Sequence, residues 1–327
     1  MATASPLPVA PGAPPELTRR SPLGDRVFRA IAYAASMFVL VLIAAIAVFL
    51  LAKSWPAFRQ EGLGFFTRRQ WFPDQPHPDF GVAALAVGTV VSSVIALLIA
   101  VPVALGSALF ATELAPPSLG RWTGYLVDLL AAVPSVVYGL WGVIFLVPKL
   151  VPLERNLDHH LGFIPLFHSP NHTYGRSVFA ASVVLAIMIL PIIAAISREV
   201  FRQVPRANRE AALALGATRW EMIRMSVLPY SRGGIIGAVM LGLGRALGET
   251  IAIALVLAVA FNVNLHIFSP GGNTIAANIA TKFGEAGALG RDGLIASGVV
   301  LFGITLVVNM AARAIVYRSG RVAEGRP

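Results

Sequence analysis

Six times along the chain, apolar residues run on for about twenty positions or more: roughly 30–52, 82–111, 124–147, 177–197, 234–261 and 294–316. Crossing the hydrocarbon core of a bilayer takes about 20 such residues in a helix. Backbone groups in lipid must find their hydrogen bonds within the segment, so each run predicts a membrane helix. Strands of a membrane barrel would instead alternate apolar and polar residues over about ten positions, and the sequence has no such segments. The pattern predicts an all-α membrane protein with six spanning helices. Pro102, Pro134 and Pro191 fall inside these runs. They free backbone groups and permit kinks, whether as hinges or as static bends.

The first 22 residues are rich in proline and alanine and hold no apolar run, which reads as a disordered tail. The expected divisions are a tail at 1–26, a membrane domain at 27–317 and a second cytoplasmic tail at 318–327. A cleaved leader would carry an apolar region of roughly 7–15 residues. The first run, Ile31 to Ala52, is longer and reads as an uncleaved span.

Composition agrees with the pattern. Of 327 residues, 56% are hydrophobic and 13% charged, with a mean hydropathy of +0.73, whereas soluble domains are about 25% charged. The net charge of +10 does not point to nucleic acid, because the basic residues sit in short gaps between spans rather than on one soluble face. Cysteine is absent, which removes disulfides, thiolate chemistry and Cys-ligated metals.

The gaps set an orientation. Sixteen Lys and Arg residues fall on the side of the termini and of the 198–233 loop, nine fall on the other side, and Arg245 belongs to neither. The positive-inside rule then places both termini and that loop in the cytoplasm of a multi-pass cell-membrane protein. In the outward gap 53–81, Trp55, Phe58, Phe65, Phe66, Trp71 and Phe72 read as an anchor at the membrane surface. In the outward gap 148–176, His159, His160, His168 and His172 read as a solvated loop rather than a zinc site, with Pro170 between the last two and no cysteine nearby. No G-x-x-x-x-G-K-[ST] phosphate loop occurs. Any ATP-driven work therefore needs an ATPase on another chain.

The 198–233 loop has internal order. Pro205 can open a helix, and Glu210 near its start suits the helix dipole. Residues 211–215 are strong helix formers, and Gly216 is a natural left-handed stop. A second helix is expected through Met225, with Pro229 breaking it before the next span. The alternative is an amphipathic surface helix with no partner. The spacing of Glu210, Ala211, Ala212, Gly216, Leu228 and Pro229 resembles the EAA loop of ABC importer permeases, with Ser226 where that family usually has isoleucine. The resemblance implies a type I importer fold in which this short helix docks on a cytosolic ATPase.

Two further stretches, from Asp128 to Gly142 and from Leu241 to Ala252, look like the phosphate-specific permeases, closer to the PstC type than to the PstA type. The resemblance covers roughly residues 25–317. It implies a heterodimer with a PstA-type permease, two copies of a cytosolic ATP-binding subunit and an external phosphate-binding protein. It also implies ATP-driven import of inorganic phosphate. No catalytic residue, metal or cofactor is expected, since the substrate is carried unchanged. Rival readings are a permease of the same architecture for sulfate or molybdate, and a stand-alone secondary transporter or channel. A docking helix argues against the stand-alone carrier.

Within the fifth run, Arg245 and Glu249 stand four residues apart, a spacing that shares one face of a continuous helix. A charge at the centre of a span costs about 2.5–3.5 kcal/mol on insertion scales. Such residues face a bundle interior or a wet cavity, and a guanidinium suits phosphate oxygens. Gly244 and Gly248 frame the pair at a spacing that lets another helix approach. Two readings stay open: an anion path, or two charges that neutralise each other and pin a helix contact.

Overall fold

The computed structural model describes residues 22–323 apart from Asn262 and Asn264. Among the described residues, six helices are long and apolar enough to cross a membrane. They are Leu23–Glu61, Ala83–Leu114, Ser135–Leu161, Val178–Arg202, Arg219–Leu247 and Ala288–Ala314, and they serve below as the first to sixth spans. The first belongs to a helix that runs Pro22–Glu61. Its stretch through Leu50 forms one unit of the chain, and the residues from Leu51 onward form the other. In that first unit Phe38, Leu40, Ile43 and Phe49 lie on different sides of the helix, so it is apolar all round, as a membrane span is. Residues 22–26, expected in the tail, are already helical, while 1–21 lie outside the described residues. At the other end the last helix runs Ala288–Ala323, past the expected boundary at 317.

In the second unit, two expected spans are redrawn by their prolines and glycines. The run at 124–147 is cut: one helix covers Pro117–Ala131 and the next starts at Ser135. Pro134 is extended, with φ −59° and ψ 139°, and it has no N–H for a continuing helix. The third span consequently reaches from Ser135 to Leu161, well beyond 147. Pro102 and Pro191 lie within unbroken helices.

Pro229 does not break the fifth span. A π-turn, Ile223–Val227, precedes it and the helix resumes as Leu228–Leu247. The wider turn accommodates the ring that would clash with a regular preceding turn. The break comes later, at Gly248–Glu249–Thr250, followed by the short helix Ile251–Val256 and irregular chain.

The second and fourth spans make the centre of this unit. On the second, Ala96, Ala100, Ala104 and Ala108 recur every fourth residue and are buried, a stripe of small side chains that lets a neighbouring backbone come close. The fourth span meets it with Ala180, Ala181, Val184, Leu185 and Ile189 in the same cluster. The fifth span packs on the fourth. Gly242 makes room there: a Cβ at that position would lie 2.7 Å from Ile193 Cδ1.

The gaps 53–81 and 148–176 are more ordered than the sequence pattern suggested. Phe65 and Trp71 are buried with Phe80, Val82, Leu85 and Leu294, so part of the expected surface anchor is core. Trp55, Phe66 and Phe72 remain exposed. Asp74 accepts hydrogen bonds from the backbone N–H groups of Gly287 at 3.0 Å and Gly290 at 3.1 Å, capping the start of the last helix with a favourable charge. His159 and His160 belong to the helix Val147–Leu161 rather than to a loop. Its buried acids are satisfied: Glu154 accepts from Gly175 N–H and the Ser177 hydroxyl, and Asp158 from Ser169 N–H and the Tyr174 phenol. Burial, together with that carboxylate, pushes the Tyr174 hydroxyl up to about 12, so it stays a donor throughout the physiological range. His168 and His172 flank Asp158 at 3.4 and 3.5 Å. Among the described residues, no three His, Asp or Glu side chains are grouped to hold a metal.

Candidate substrate path and coupling loop

The cytoplasmic-loop candidate folds as its sequence dictates. The helix Arg206–Ala214 starts directly after Pro205, so Glu210 lies in its second turn rather than at its start. It ends on a Schellman motif: Gly216 N–H donates to Leu213 O at 3.0 Å and Ala217 N–H to Ala212 O at 3.2 Å. Gly216 has φ +85°, the left-handed geometry that this motif requires and that glycine adopts at least cost. Thr218 and Glu221 then form a capping box that starts the next helix.

The six matched positions divide by exposure. Ala212 is buried, and Leu228 packs half-buried against the same cluster of Phe201, Val204, Ile223 and Val227. Glu210, Ala211, Gly216 and Pro229 are exposed, beside the exposed side chains of Leu213, Leu215 and Trp220. The loop therefore has an anchored face and a free, partly apolar face. Ser226, the departure from the usual isoleucine, donates its hydroxyl to Asn208 O at 2.9 Å. A hydrogen bond ties the two helices where an apolar contact was expected.

Charged ties that the sequence pattern did not single out hold this loop to the membrane helices and those helices to one another. Arg209 Nη2 donates to Glu113 Oε1 at 2.8 Å and to Phe201 O at 2.7 Å. Arg198 donates to both oxygens of Asp128, at 2.9 and 3.1 Å. In sequence, Glu113 and Asp128 read as ordinary charges at span ends. Nothing in their spacing marks a partner 96 or 70 residues away.

The fifth-span pair is arranged differently from its spacing. Arg245 sits in the last turn of Leu228–Leu247, but Glu249 lies beyond the helix end, so no continuous helical face joins them. No ion pair forms between them among the described residues. Arg245 is exposed to a groove of about 580 Å³, which it shares with Ile192, Gly237, Met240, Gly244 and Asn309. Glu249 is buried and accepts from Ala252 N–H at 3.2 Å, which satisfies a free donor at the start of Ile251–Val256. Arg176 closes the other end of that short helix, donating to Leu255 O, Val256 O and Leu257 O at 2.8–3.1 Å. Broken spanning helices are tolerated at membrane depth where the freed backbone is buried in protein or lines a cavity.

Residues 100–321 match the model of the family described as binding-protein-dependent transport system inner membrane component. A relative from Mycobacterium tuberculosis, phosphate transport system permease protein PstC 2, is 47% identical over 296 residues, covering 89% of this chain and 91% of its own. The phosphate transport system permease protein PstC of Mycobacterium leprae is 45% identical over 322 residues, covering 97% and 98%. Among solved structures, a bacterial alginate ABC transporter in complex with its pentasaccharide-bound periplasmic protein overlays with a TM-score of 0.60 at 17% identity, covering 91% of this chain and 98% of that one. At that identity the likeness speaks to fold alone. The chain therefore belongs to the binding-protein-dependent transport system inner membrane component family, among its PstC permeases.

Proposed function

We propose that the chain is the permease subunit of an ATP-driven importer that moves inorganic phosphate inward across the cell membrane, past Arg245 and Glu249 at the break in the fifth span. The observation that carries the substrate is the likeness to phosphate permeases along nearly the whole chain. Phosphate uptake by cells that depend on this complex should be unaffected by a large excess of sulfate or molybdate. Equal competition by either would overturn the phosphate reading in favour of another oxyanion.

The driving force comes from other chains. The exposed face formed by Glu210, Ala211 and Gly216 is the contact for a cytosolic ATPase, present in two copies. Ala212, Leu228 and Pro229 belong to the mount that carries its movement into the fifth span. A PstA-type permease completes a heterodimer, and an external phosphate-binding protein delivers the substrate. The free apolar side chains beside the coupling helix support this reading over a stand-alone carrier, which has no use for them.

Orientation is part of the proposal, with the termini and the 198–233 loop in the cytoplasm. An impermeant thiol reagent should label Asn171→Cys from outside and Ala207→Cys only after permeabilisation. Both positions are exposed, and the chain has no native cysteine to give background. The reverse pattern of labelling would overturn the orientation.

A further inference from the structure

A cavity of about 640 Å³ lies where the second span ends, the fourth span ends and the coupling helix begins. Glu113, Gly120, Arg121, Arg202, Arg206 and Arg209 are in its wall. Four guanidinium groups therefore share one concave space with one carboxylate, and that carboxylate is already engaged by Arg209. Arg202 and Arg206 have no hydrogen-bond or ion-pair partner among the described residues. Arg121 reaches only Pro117 O, in its own helix, at 3.3 Å. The Nε of Arg209 is buried with no acceptor. The helix Pro117–Ala131 begins at the same wall, adding the positive end of its dipole.

We propose that this cavity is a second phosphate-group site, on the inner face and separate from the translocation path. Three exposed guanidinium groups without a carboxylate of their own, beside a helix start, make a local excess of positive charge that attracts an anion. Guanidinium forks bind phosphate oxygens in pairs, which gives them a preference for such a group over a point anion. Depth points the same way. The second span ends at Leu114 and the fourth at Arg202, so the cavity lies at the level of lipid headgroups in the inner leaflet. This placement rests on the orientation proposed above. The phosphate group comes either from an anionic phospholipid headgroup or from orthophosphate in the cytosol.

The position gives the occupant a lever. Arg206 and Arg209 are on the coupling helix, while Arg121 and Arg202 are on helices of the membrane domain. An anion bridging both sets clamps the coupling helix to the span ends, and its arrival or departure changes how readily ATPase motion is transmitted.

The test uses the complete transporter reconstituted in phosphatidylcholine vesicles, comparing wild type with R121Q/R202Q. Neither residue belongs to the substrate path or to the ATPase contact, so the initial rate of uptake in vesicles without anionic lipid or added internal phosphate should match wild type. Two arms then separate the sources. In one, inorganic phosphate is loaded inside the vesicles; in the other, phosphatidylglycerol is added to the bilayer. A severalfold change of wild-type uptake in the first arm, lost in R121Q/R202Q and kept only in part in R121K/R202K, supports the site and identifies orthophosphate. The same pattern in the second arm supports it and identifies the headgroup. A variant that responds as wild type does in both arms, or a wild type that responds in neither, overturns it. So does loss of the ATPase from the purified variant complex, which would mean that the arginines face protein carboxylates. Persistence of wild-type basal uptake in the variant keeps a failure of this inference distinct from a failure of the transport reading.

Discussion

Replacing Arg245 by glutamine should cut phosphate uptake about 10- to 150-fold, the effect of losing one charge-assisted contact of about 1.5–3 kcal/mol, while insertion and assembly stay normal. Arg245 lies in the last helical turn before the break and opens onto the groove beside Ile192 and Asn309. It has no ion pair among the described residues, so removing its charge strands no carboxylate. Glu249→Gln should have a milder effect on rate and a distinct effect on selectivity. On the proposed path, a carboxylate within reach of the anion would weaken the hold on a dianion enough for release. It would also accept a hydrogen bond from protonated phosphate, which fully ionised sulfate cannot offer. E249Q should therefore let sulfate compete where wild type does not. Measured uptake and sulfate competition of the two single variants check both statements. Wild-type rates in R245Q at normal expression would remove Arg245 from the path.

The second large effect concerns coupling. Gly216→Val should lower transport severalfold at unchanged expression and insertion. Nothing lies within 4 Å of a Cβ built at this glycine, so the side chain meets no obstacle. The cost is conformational. At φ +85° an L residue pays roughly 1–2 kcal/mol for left-handed backbone, more for a β-branched one. The cheaper response is to unwind the Schellman end and displace the face carrying Glu210 and Ala211. Asparagine tolerates this region of backbone space, so Gly216→Asn should keep most of the transport. ATP-dependent uptake by both variants decides the matter, and equal uptake by G216V and wild type would exclude the coupling role of this helix end.

Much of this architecture was legible in the sequence because bilayer thickness imposes a length on apolar runs, and each of the six runs overlaps one spanning helix. The coupling helix was legible as well, since Pro205 and Gly216 carry local backbone rules that need no tertiary partner. What the runs concealed were breaks inside them. Hydropathy does not register the loss of an N–H at Pro134, nor the end of the helix at Gly248, because the flanking residues remain apolar on both sides. Pro229 failed as a stop for the opposite reason: a π-turn absorbs its ring, and turn width is not encoded in hydropathy. The spacing of Arg245 and Glu249 suggested a shared face, yet the carboxylate is directed to Ala252 N–H across the break. Phe65 and Trp71 looked like interface anchors because aromatic content alone does not tell a lipid surface from a small core. Ties such as Arg209 to Glu113 depend on how distant segments meet and leave no periodic trace.

Phosphate uptake by the R245Q/E249Q double variant, with assembly verified, tests the central claim most directly. If the break in the fifth span is the anion path, uptake stays at or below the level of R245Q, because the guanidinium that receives phosphate is gone whatever stands at 249. If the two charges only neutralise each other, each single change leaves one charge unpaired at a cost of about 3–5 kcal/mol. Removing both then restores stability and transport, and recovery toward wild-type uptake in the double variant would contradict the account.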